Sequence, residues 1–420
     1  MEKVDIAILG SGIAGLGAAF RAREKNLMAV IYEARNSSGG LLDNFEINGF
    51  RFDHAVHLSF ATEEIVRNIF DKTPFKTHPS DSFCFEEKNW LKHPIQNNLF
   101  LLPADIKVDL IKSFINRPEN LAGDDYESWL RHQYGDLIAE RYPIKYTKKY
   151  WDTDPKKLST TWIGSRMRRS ALEEVLYGAF TIDTPNTYYT KEMRYPLTGG
   201  YKSFIKPLIE NSDIKLNYQA ISVDSSSKLI TFKNGTVVSY QSLISTLPLP
   251  VIVKILEKCP ADVIKAANRL TATSIDLISI GFKAEIIKNL WFYIYDEDIY
   301  ASRAHSPSVK SADNAPTGHS SLQFEVYSRG CNSKYSVEQI KENCLYALKK
   351  MGISNGNDVI FMDHRRIKYG NVIFDTGMEN DRKLVRDYLK YSDISSCGRF
   401  GEWDYLWSNQ SFISGYESIV

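Results

Sequence analysis

The sequence predicts an α/β protein in three parts: a discontinuous domain with a parallel sheet, an inserted helical lobe and an antiparallel sheet. Residues 5–19 read as a buried strand, a glycine turn and the start of a helix. Residues 104–180 are rich in Lys, Arg, Tyr and Trp and lack strand-like alternation, whereas residues 274–330 alternate as strands do. A chain of 420 residues is also too long for one small core.

The N-terminal pattern is typical of dinucleotide binding. Gly10 permits a tight turn, Gly12 lets the backbone approach a pyrophosphate, and Gly15 lets the helix pack on the strand. The next apolar run, residues 29–32, ends on Glu33, where an acid accepts hydrogen bonds from ribose hydroxyls. A lone Gly-x-Gly-x-x-Gly is weak evidence, but strand, helix and acid together predict a Rossmann-like domain.

A second glycine pair decides which dinucleotide is expected. Gly39 and Gly40 follow Glu33 closely, and an acid followed by paired glycines is typical of flavoproteins that hold FAD. Glycine keeps backbone near a cofactor where a side chain would clash. The sequence therefore favours FAD over NAD.

Composition limits the function classes. Lys and Arg number 52 against 51 Asp and Glu, a net charge of +1 that predicts no nucleic-acid partner. No apolar run reaches membrane-spanning length, and the first strand leaves no room for a signal peptide. The five cysteines form no C-x-x-C pair and no metal cluster is apparent, so we expect reduced thiols, no metal and a cytoplasmic protein.

The elements follow in chain order. Residues 45–53 predict a hairpin with an Asn-Gly turn, and residues 62–70 a helix. Residues 214–223 and 228–238 predict two strands, the second broken by Asn234-Gly235. A buried strand at 243–248 and a helical segment at 249–268 follow.

The later elements complete the assignment. Four strand patterns between residues 275 and 327 predict an antiparallel sheet, Ser336 opens a capping-box helix, and residues 378–391 form another helix. The predicted FAD-binding domain comprises residues 1–80, 195–250 and 385–420. The predicted helical lobe comprises residues 104–190, and the predicted substrate domain with the antiparallel sheet comprises residues 81–103 and 270–384.

Taken together, the motifs resemble the UDP-galactopyranose mutase family, most of all its eukaryotic-type branch, within the FAD-dependent amine-oxidase-like flavoproteins. The resemblance covers nearly the whole chain, and its most specific part is the tail from Gly398 to Gln410. The other matching stretches are residues 10–15, 39–40, 52–60, 94–98, 146–151, 162–166, 195–200, 243–246, 291–293, Arg303 and 364–366.

The family resemblance implies a mutase without net redox change. Reduced FAD would act through N5 as a nucleophile on the anomeric carbon of a nucleotide-sugar, and pyranose and furanose forms would interconvert. NAD(P)H or another donor would reduce the flavin. The resemblance also implies galactofuranose supply for cell-surface polysaccharides, and it leaves monomer or homodimer open.

The resemblance assigns roles to individual residues. Catalysis would use His57, Arg166 and Arg303. The FAD would be bound by Gly10, Ser11, Gly12, Ile13, Ala14, Gly15, Glu33, Ala34, Gly39, Gly40, Leu41, His57, Ala220, Arg399, Asn409, Gln410 and Ser411. The substrate would be bound by His93, Gln96, Trp162, Arg166, Asn186, Trp291, Tyr293, Arg303 and Tyr405.

Simpler interpretations stand beside these roles. Arginine suits a departing diphosphate because its planar fork binds phosphate oxygens in pairs, yet Arg166 is also compatible with a solvated helix surface. Tyr293 and Tyr405 are compatible with half-buried sheet aromatics, and a lone histidine such as His57 is usually structural.

The sequence departs from the family at several positions. Ala55 and Val56 precede His57 where the family often has glycine, which predicts a loop that moves less with the flavin redox state. His93 and Ile95 stand where the eukaryotic branch stacks aromatics on uracil, and Asn371 replaces a tyrosine near the diphosphate. A mutase for another base or another sugar is therefore an open alternative.

Two further hypotheses compete with the mutase. An FAD-dependent amine oxidase, desaturase or protoporphyrinogen-oxidase-like enzyme predicts an apolar tunnel without paired arginines at the flavin. A non-catalytic flavoprotein-like binding module predicts a protein that is not yellow or cannot be reduced.

Overall fold

The computed structural model describes residues 2–121, 123–167, 169–186 and 192–419. Over these residues the strands form two seven-stranded sheets and two two-stranded ribbons. The strands are β1 Glu2–Leu9, β2 Ala29–Glu33, β3 Asn44–Ile47, β4 Phe50–Asp53, β5 Phe75–His78, β6 Phe83–Glu86, β7 Asn89–Lys92, β8 Met193–Pro196, β9 Asp213–Leu216, β10 Ala220–Asp224, β11 Leu229–Phe232, β12 Val237–Ser245, β13 Thr273–Phe282, β14 Trp291–Ile294, β15 Arg303–His305, β16 Ser320–Arg329, β17 Val359–Ile367 and β18 Ile394–Ser396.

Helices pack on both sheets, and five of them, α3 to α7, form the helical segment of residues 104–180. The helices are α1 Ile13–Glu24, α2 Glu64–Phe70, α3 Ala104–Ile115, α4 Tyr126–Tyr134, α5 Asp136–Ala139, α6 Lys145–Tyr150, α7 Leu172–Phe180, α8 Lys206–Glu210, α9 Leu249–Ile255, α10 Ala261–Arg269, α11 Pro307–Lys310, α12 Val337–Lys350, α13 Met378–Tyr391, α14 Gly398–Gly401 and α15 Ser408–Glu417.

The first sheet has the parallel core of a Rossmann-like fold. β1 lies between β12 and β2 and runs parallel to both, while β9 extends the sheet beside β2 and β18 pairs with the end of β12. β10 and β11 add an antiparallel edge. Because α1 covers one face, the end of β1 is fully buried, and Ala7, Ile8 and Leu9 are at most 1% exposed. The α/β class with parallel and antiparallel sheets is as predicted.

The second sheet is antiparallel except where β14 runs beside β6, and its strand order is β17-β13-β16-β15-β14-β6-β7. Its central strand β16 alternates strictly. Leu322, Phe324 and Val326 pack in the same apolar cluster as α12, whereas Gln323 and Glu325 project from the opposite face. Helix α12 begins with the capping box predicted at Ser336.

The predicted helical segment after residue 104 contains α3 to α7. Between α5 and α6 the chain forms one wide π turn, Glu140–Ile144, which includes Pro143. Proline lacks the N–H that a regular helix needs, so a wide turn at this point is physically reasonable. Tyr150 ends α6, one and a half turns after the π turn.

Helix α15 closes the first domain by packing on α1. A Cβ on Gly17 would collide with the carbonyl of Phe412, and a Cβ on Gly415 would collide with the carbonyl of Ala14. Glycine at both contact points therefore lets the two helix backbones approach each other directly.

Several predicted boundaries need correction. The strand expected at 214–223 is divided into β9 and β10 because Asn217 has φ +63° and turns the chain. The helix expected at 249–268 is interrupted before Pro260, whereas the break between β11 and β12 at Asn234-Gly235 is as predicted. The predicted domain limits at residues 250 and 385 fall inside α9 and α13, so the domain division stays a prediction.

No helix within the described ranges is long and apolar enough to span a membrane.

Candidate functional site

The glycine loop after β1 forms one end of a cavity. Gly10 has φ +101°, and a Cβ there would collide with Thr246 Oγ1, whose hydroxyl donates to the Leu9 carbonyl at 2.8 Å. A Cβ on Gly15 would collide with the Gly10 carbonyl oxygen. Both glycines are therefore required by the packing of the protein itself.

Unlike Gly10 and Gly15, Gly12 is not required by the packing of the protein, and this tests whether the loop fits a dinucleotide. Its φ is −69°, which any residue adopts, and a Cβ would meet only Gly40 Cα at 4.0 Å. The fold therefore has no steric need for glycine here, although Gly12 lines the cavity at the start of α1. Glycine at this position keeps space for a ligand phosphate against the helix N-terminus, as a bound dinucleotide requires.

The second glycine pair packs on the first loop. Gly39 N donates to the Ser11 carbonyl at 3.0 Å, and a Cβ on Gly40 would come within 3.0 Å of Gly12 Cα. Glu33 lies beside them, 8% exposed, and accepts hydrogen bonds from Ser11 N at 2.9 Å and Ser11 Oγ at 2.7 Å. Its carboxylate keeps lone pairs for ribose hydroxyls.

His57 lines the cavity from a loop with an unusual backbone. Ala55 has φ +77°, the left-handed region where glycine is usual, and its carbonyl lies 3.1 Å from His57 Nδ1. Val56 N donates to Glu325 Oε1 at 2.8 Å. Burial lowers the pKa of His57 to about 4, so its imidazole is neutral at pH 7.

The antiparallel sheet supplies the far wall. Tyr293 on β14 stands opposite Arg303 on β15, and Arg303 stands opposite Glu325 on β16. Trp291 is two residues from Tyr293 and so projects from the same face. Strand register therefore brings an arginine between a tyrosine and a buried acid.

Arg303 is fixed by two of these neighbours. Its Nε donates to Glu325 Oε2, and Nη2 donates to the Tyr327 hydroxyl at 2.8 Å. Burial opposes its charge, but the fully buried Glu325 carboxylate, together with Tyr327, Tyr150 and Tyr146, outweighs burial and raises the pKa of Arg303. Among the described residues Nη1 has no hydrogen-bonding partner, so this nitrogen is available to an anion in the cavity.

A chain of hydrogen bonds crosses the same end of the cavity. Arg399 Nη2 donates to Asn371 Oδ1, and Asn371 Nδ2 donates to the Tyr150 hydroxyl at 2.9 Å. The hydroxyls of Tyr150 and Tyr405 are 3.2 Å apart. The other bond of the Arg399 guanidinium is from Nη1 to the Leu406 carbonyl, and no carboxylate pairs with it among the described residues. Arg399 therefore brings an uncompensated positive charge.

Tyr405 has a cationic environment. The guanidinium carbons of Arg399 and Arg166 lie 4.6 and 4.8 Å from its ring centroid. Burial acts to raise the pKa of Tyr405, but Arg399, the bond to Tyr150, Arg303 and Arg166 lower it, and the net direction is down. Burial raises the pKa of Tyr150 well above its usual value.

One cavity of about 370 Å³ joins the glycine loop to the arginine and tyrosine end. The predicted residues that it brings together are Gly10, Gly12, Ile13, Ala14, Glu33, Gly39, Gly40, Leu41, His57, Trp291, Tyr293, Arg303, Arg399, Tyr405 and Ser411.

Six predicted cofactor residues lie outside this lining. Ser11 and Gly15 support the loop, as described, and Ala34 is exposed after β2. Ala220 begins β10 and pairs with β11. Asn409 donates to the Glu63 carboxylate at 2.9 Å, and Gln410 Oε1 accepts from Trp407 N as the cap of α15. The roles of these two side chains here are structural.

Arg166 also lies outside the lining. Its guanidinium donates to the carbonyls of Trp162 and Tyr405 and rests on the rings of Tyr405 and Trp407, which do line the cavity. Trp162 packs behind the Tyr405 ring at 5.8 Å. In this conformation both residues therefore support the aromatic wall and are separated from the cavity by it.

The three remaining substrate candidates are also outside the lining. His93 packs on the Tyr293 ring with centroids 4.6 Å apart, and burial lowers its pKa to about 4. Gln96 lies in the 3-10 turn Ile95–Asn97. Asn186 is exposed and adjoins residues 187–191, which are outside the described residues.

Sequence reasoning missed several residues of the site. The sequence motifs give no role of its own to Tyr150, mark Asn371 only as a departure from the family, and indicate only a strand for Glu325 and Tyr327. The alternation of residues 322–327 contained the signal for the last two, because its polar members share one face. Further residues of the lining are Leu42, Val56, Leu58, Phe60, Thr246, Gly398, Phe400, Leu406, Trp407 and Ser408.

Comparisons with known proteins agree with this geometry. Residues 8–73 match the model of an NAD(P)-binding Rossmann-like domain. A 1-hydroxycarotenoid 3,4-desaturase from Flavobacterium sp. (strain P99-3) is 46% identical over 46 residues, which is 11% of this chain and only 9% of the length of that relative.

Solved structures extend the likeness over the chain. A reduced UDP-galactopyranose mutase superposes with a TM-score of 0.92 at 26% identity, covering 99% of this chain and 94% of the other. The chain shares the fold of UDP-galactopyranose mutase.

Oxidases have the same fold at lower similarity. A protein described as a protoporphyrinogen oxidase from Exiguobacterium sp. 255-15 has a TM-score of 0.76 at 17% identity over 99% of this chain and 97% of its own. Cyclohexylamine oxidase from Brevibacterium oxydans IH-35A has a TM-score of 0.67 at 13% identity, with 99% and 97% coverage. These likenesses show the fold alone.

Proposed function

We propose that the chain is an FAD-dependent nucleotide-sugar mutase, similar to UDP-galactopyranose mutase, that interconverts pyranose and furanose forms. The observation that carries this proposal is the joining of a dinucleotide cradle and a cationic end, with Arg303 and Arg399, in one cavity. The superposition on a reduced UDP-galactopyranose mutase supports it.

When bound and reduced, FAD would supply the nucleophile of the reaction at N5. The chain itself must hold a diphosphate that leaves the sugar and later returns. Arg399 offers an uncompensated charge and Arg303 offers Nη1, so the two guanidiniums stabilise the developing negative charge on the diphosphate. The hydroxyls of Tyr150 and Tyr405 add hydrogen-bonding groups between them.

Other residues keep the reacting sugar in place. Trp291 and Tyr293 form an aromatic face that packs against a sugar and limits access of water. The imidazole of His57 lines the cavity and is neutral at pH 7, so it would add no charge next to a bound flavin. His93 lies behind Tyr293 and Ile95 is buried, so the proposal includes dTDP-sugars beside UDP-sugars as substrates.

An oxidase would require a different cavity. Oxidation of an amine or an isoprenoid-like substrate favours an apolar tunnel without paired arginines, as expected above. Here the end of the cavity next to the sheet contains two guanidiniums and several tyrosine hydroxyls. An apolar substrate at this end would remove water from the guanidiniums and hydroxyls without replacing their hydrogen bonds, which costs free energy. An anionic substrate replaces those hydrogen bonds and is therefore favoured.

A substrate panel tests the proposal. The purified protein is reduced with dithionite and incubated without oxygen with UDP- and dTDP-pyranoses and furanoses, and products are separated by chromatography. We expect at least one pyranose–furanose pair to interconvert. No conversion of any member, together with oxygen-coupled turnover of an amine, would overturn the mutase.

A matched pair of variants localises the activity. Arg399→Met removes the unpaired cation and is expected to reduce turnover at least about a hundredfold, since charged hydrogen bonds contribute about 1.5–3 kcal/mol each and charge is lost as well. Arg269→Met is the control, because Arg269 is exposed on α10 and pairs with Asp381. Equal activity of both variants would place the reaction elsewhere.

A further inference from the structure

Asn371 is held more firmly than a residue that merely fills space. Its backbone N donates to Thr273 Oγ1 at 3.1 Å, and Thr273 N donates to its carbonyl at 2.8 Å. The residue is 5% exposed. With both backbone groups fixed to the start of β13, the amide side chain spans the gap between Arg399 and Tyr150.

The chemistry of these partners fixes the orientation of the amide. A guanidinium only donates, so Asn371 Oδ1 must accept from Arg399. The Nδ2 group then donates to the Tyr150 oxygen. The Tyr150 proton is thereby left to donate to Tyr405, 3.2 Å away, and the Tyr405 proton is left for the cavity.

The charges around Tyr405 favour the same direction. It is approached by Arg399 from α14, Arg303 from β15, Arg166 from the turn Gly164–Arg166 and Tyr150 from α6. Its chain neighbour Asp404 accepts from Tyr405 N at 2.6 Å and pairs with Arg382. Three cations stabilise negative charge on the Tyr405 oxygen, which makes its hydroxyl a stronger donor to a ligand in the cavity.

We propose that Asn371 is a positioning residue that directs the hydrogen bonds from Arg399 through Tyr150 to Tyr405, so that the Tyr405 hydroxyl donates to an anion in the cavity. The proposal rests on the proposed function in one respect, the identity of that anion as the diphosphate of a nucleotide-sugar. The direction of the chain depends only on Asn371, Tyr150, Arg399 and Tyr405.

The proposal has a pH signature. Tyr405 donates only while it is protonated, and its phenolate repels an anion. The affinity for pyrophosphate should therefore fall as pH rises through the pKa of Tyr405, which lies below the ordinary tyrosine value. Loss of the Tyr150 bond removes one of the interactions that lower this pKa, so the fall should move to higher pH.

The experiment is a double-mutant cycle on the flavin-bound protein. Calorimetric titration with inorganic pyrophosphate, and separately with UDP, is carried out between pH 6 and about 10. The variants are Asn371→Leu, Tyr150→Phe, the double variant and Tyr405→Phe. Tyr146→Phe is the control, because Tyr146 stacks on Tyr150 in the same helix and has no hydrogen bond in the chain described here.

We expect Asn371→Leu and Tyr150→Phe each to weaken pyrophosphate binding about tenfold at pH 7. The double variant should be no weaker than either single variant, because both interrupt one chain. Both should move the pH-dependent fall upward, Tyr405→Phe should abolish it, and Tyr146→Phe should leave it unchanged.

Additive losses, or a pH profile unchanged in Asn371→Leu and Tyr150→Phe, would overturn the proposal and leave Asn371 a structural residue. Should Asn371→Leu not fold, Asn371→Ala takes its place in the cycle with Tyr150→Phe. Non-additive losses, with no conversion of any sugar and with oxygen-coupled turnover of an amine, would preserve this proposal and reject the mutase. Conversion of a sugar together with additive losses of pyrophosphate affinity would support the mutase and overturn the role proposed for Asn371.

Discussion

The two ends of the cavity are built by different means. At the nucleotide end, the backbone forms the site: glycine at Gly10 and Gly40 lets two loops pack together, and the missing side chain at Gly12 leaves space at the start of α1. At the sheet end, side chains do it. Hydrogen bonds join Tyr150, Asn371 and Arg399, which come from three segments of the chain. Arg303 comes from a fourth segment and is held by Glu325 and Tyr327.

This difference determines how each end responds to change. A steric cradle fails abruptly when an atom is added, because the backbone cannot move aside. A polar network fails by leaving a charge or a hydrogen-bonding group without its partner, and the cost depends on how deeply that group is buried. Four substitutions separate these behaviours.

The largest effect is expected for Gly15→Val. Its Cβ would collide with the Gly10 carbonyl and come within 3.3 Å of Ile8 Cγ2, so the first βα turn cannot form. We expect a loss above about 4 kcal/mol of unfolding free energy, seen as insoluble protein without flavin absorbance. Gly377→Ala is the control, because no atom lies within 4 Å of its added Cβ. Soluble, yellow Gly15→Val protein would contradict the steric account.

Arg303→Met should have the second largest effect. It leaves the Glu325 carboxylate fully buried without its cation, which costs about 3–5 kcal/mol of unfolding free energy. Flavin should remain bound because the glycine end is intact. Denaturant unfolding and flavin content measure the two quantities.

Adding Glu325→Gln to that variant is its control, since a neutral partner should recover part of the stability. Loss of flavin with an unchanged free energy of unfolding would place Arg303 at the nucleotide end and contradict the division of the cavity into two ends.

Gly12→Ala tests the cradle without disturbing the fold. The added Cβ meets only Gly40 Cα at 4.0 Å, so the unfolding free energy of the apoprotein should change by less than about 1 kcal/mol. Flavin affinity should fall at least about tenfold, because the methyl group occupies the space of a phosphate. Fluorescence titration of the apoprotein measures it. Unchanged affinity would show that the space is not used by the dinucleotide.

The smallest effect is expected for Ala55→Gly, on the loop between the two ends. Ala55 has φ +77°, and glycine relieves its strain while adding freedom to the unfolded chain. We expect a gain of about 0.5 kcal/mol in thermal or denaturant unfolding. Ala18→Gly, inside α1, should instead lose about 1 kcal/mol. A loss in both variants would remove the argument for strain at Ala55.

The predictability of the site follows the same division. Gly10, Gly12, Glu33 and Gly39 lie in local motifs, and their placement around one cavity was expected from spacing alone. The α/β class and most strands followed from periodicity. The errors, such as the split at Asn217, occurred where one residue turns the backbone.

The sheet end depends on contacts that no local pattern contains. Arg303 and Glu325 are 22 residues apart and become neighbours only through strand register. Arg166 has a matching motif, yet its guanidinium rests on Tyr405 and Trp407 behind the cavity wall. A motif can predict that an arginine is present, whereas tertiary packing determines which atoms its charge reaches.

The packing of α15 on α1 has a consequence for biosynthesis. Gly17 and Gly415 form one interface, yet they are separated by almost the whole chain, and Gly398 to Ser411 complete the cavity lining. At 5–20 residues per second, ribosomes need about 20–80 s to pass from one helix to the other. During that time the apolar face of α1 that later receives Phe412 lacks its partner. We therefore expect the nascent chain to be a substrate for chaperones, and cofactor capture to be a late event.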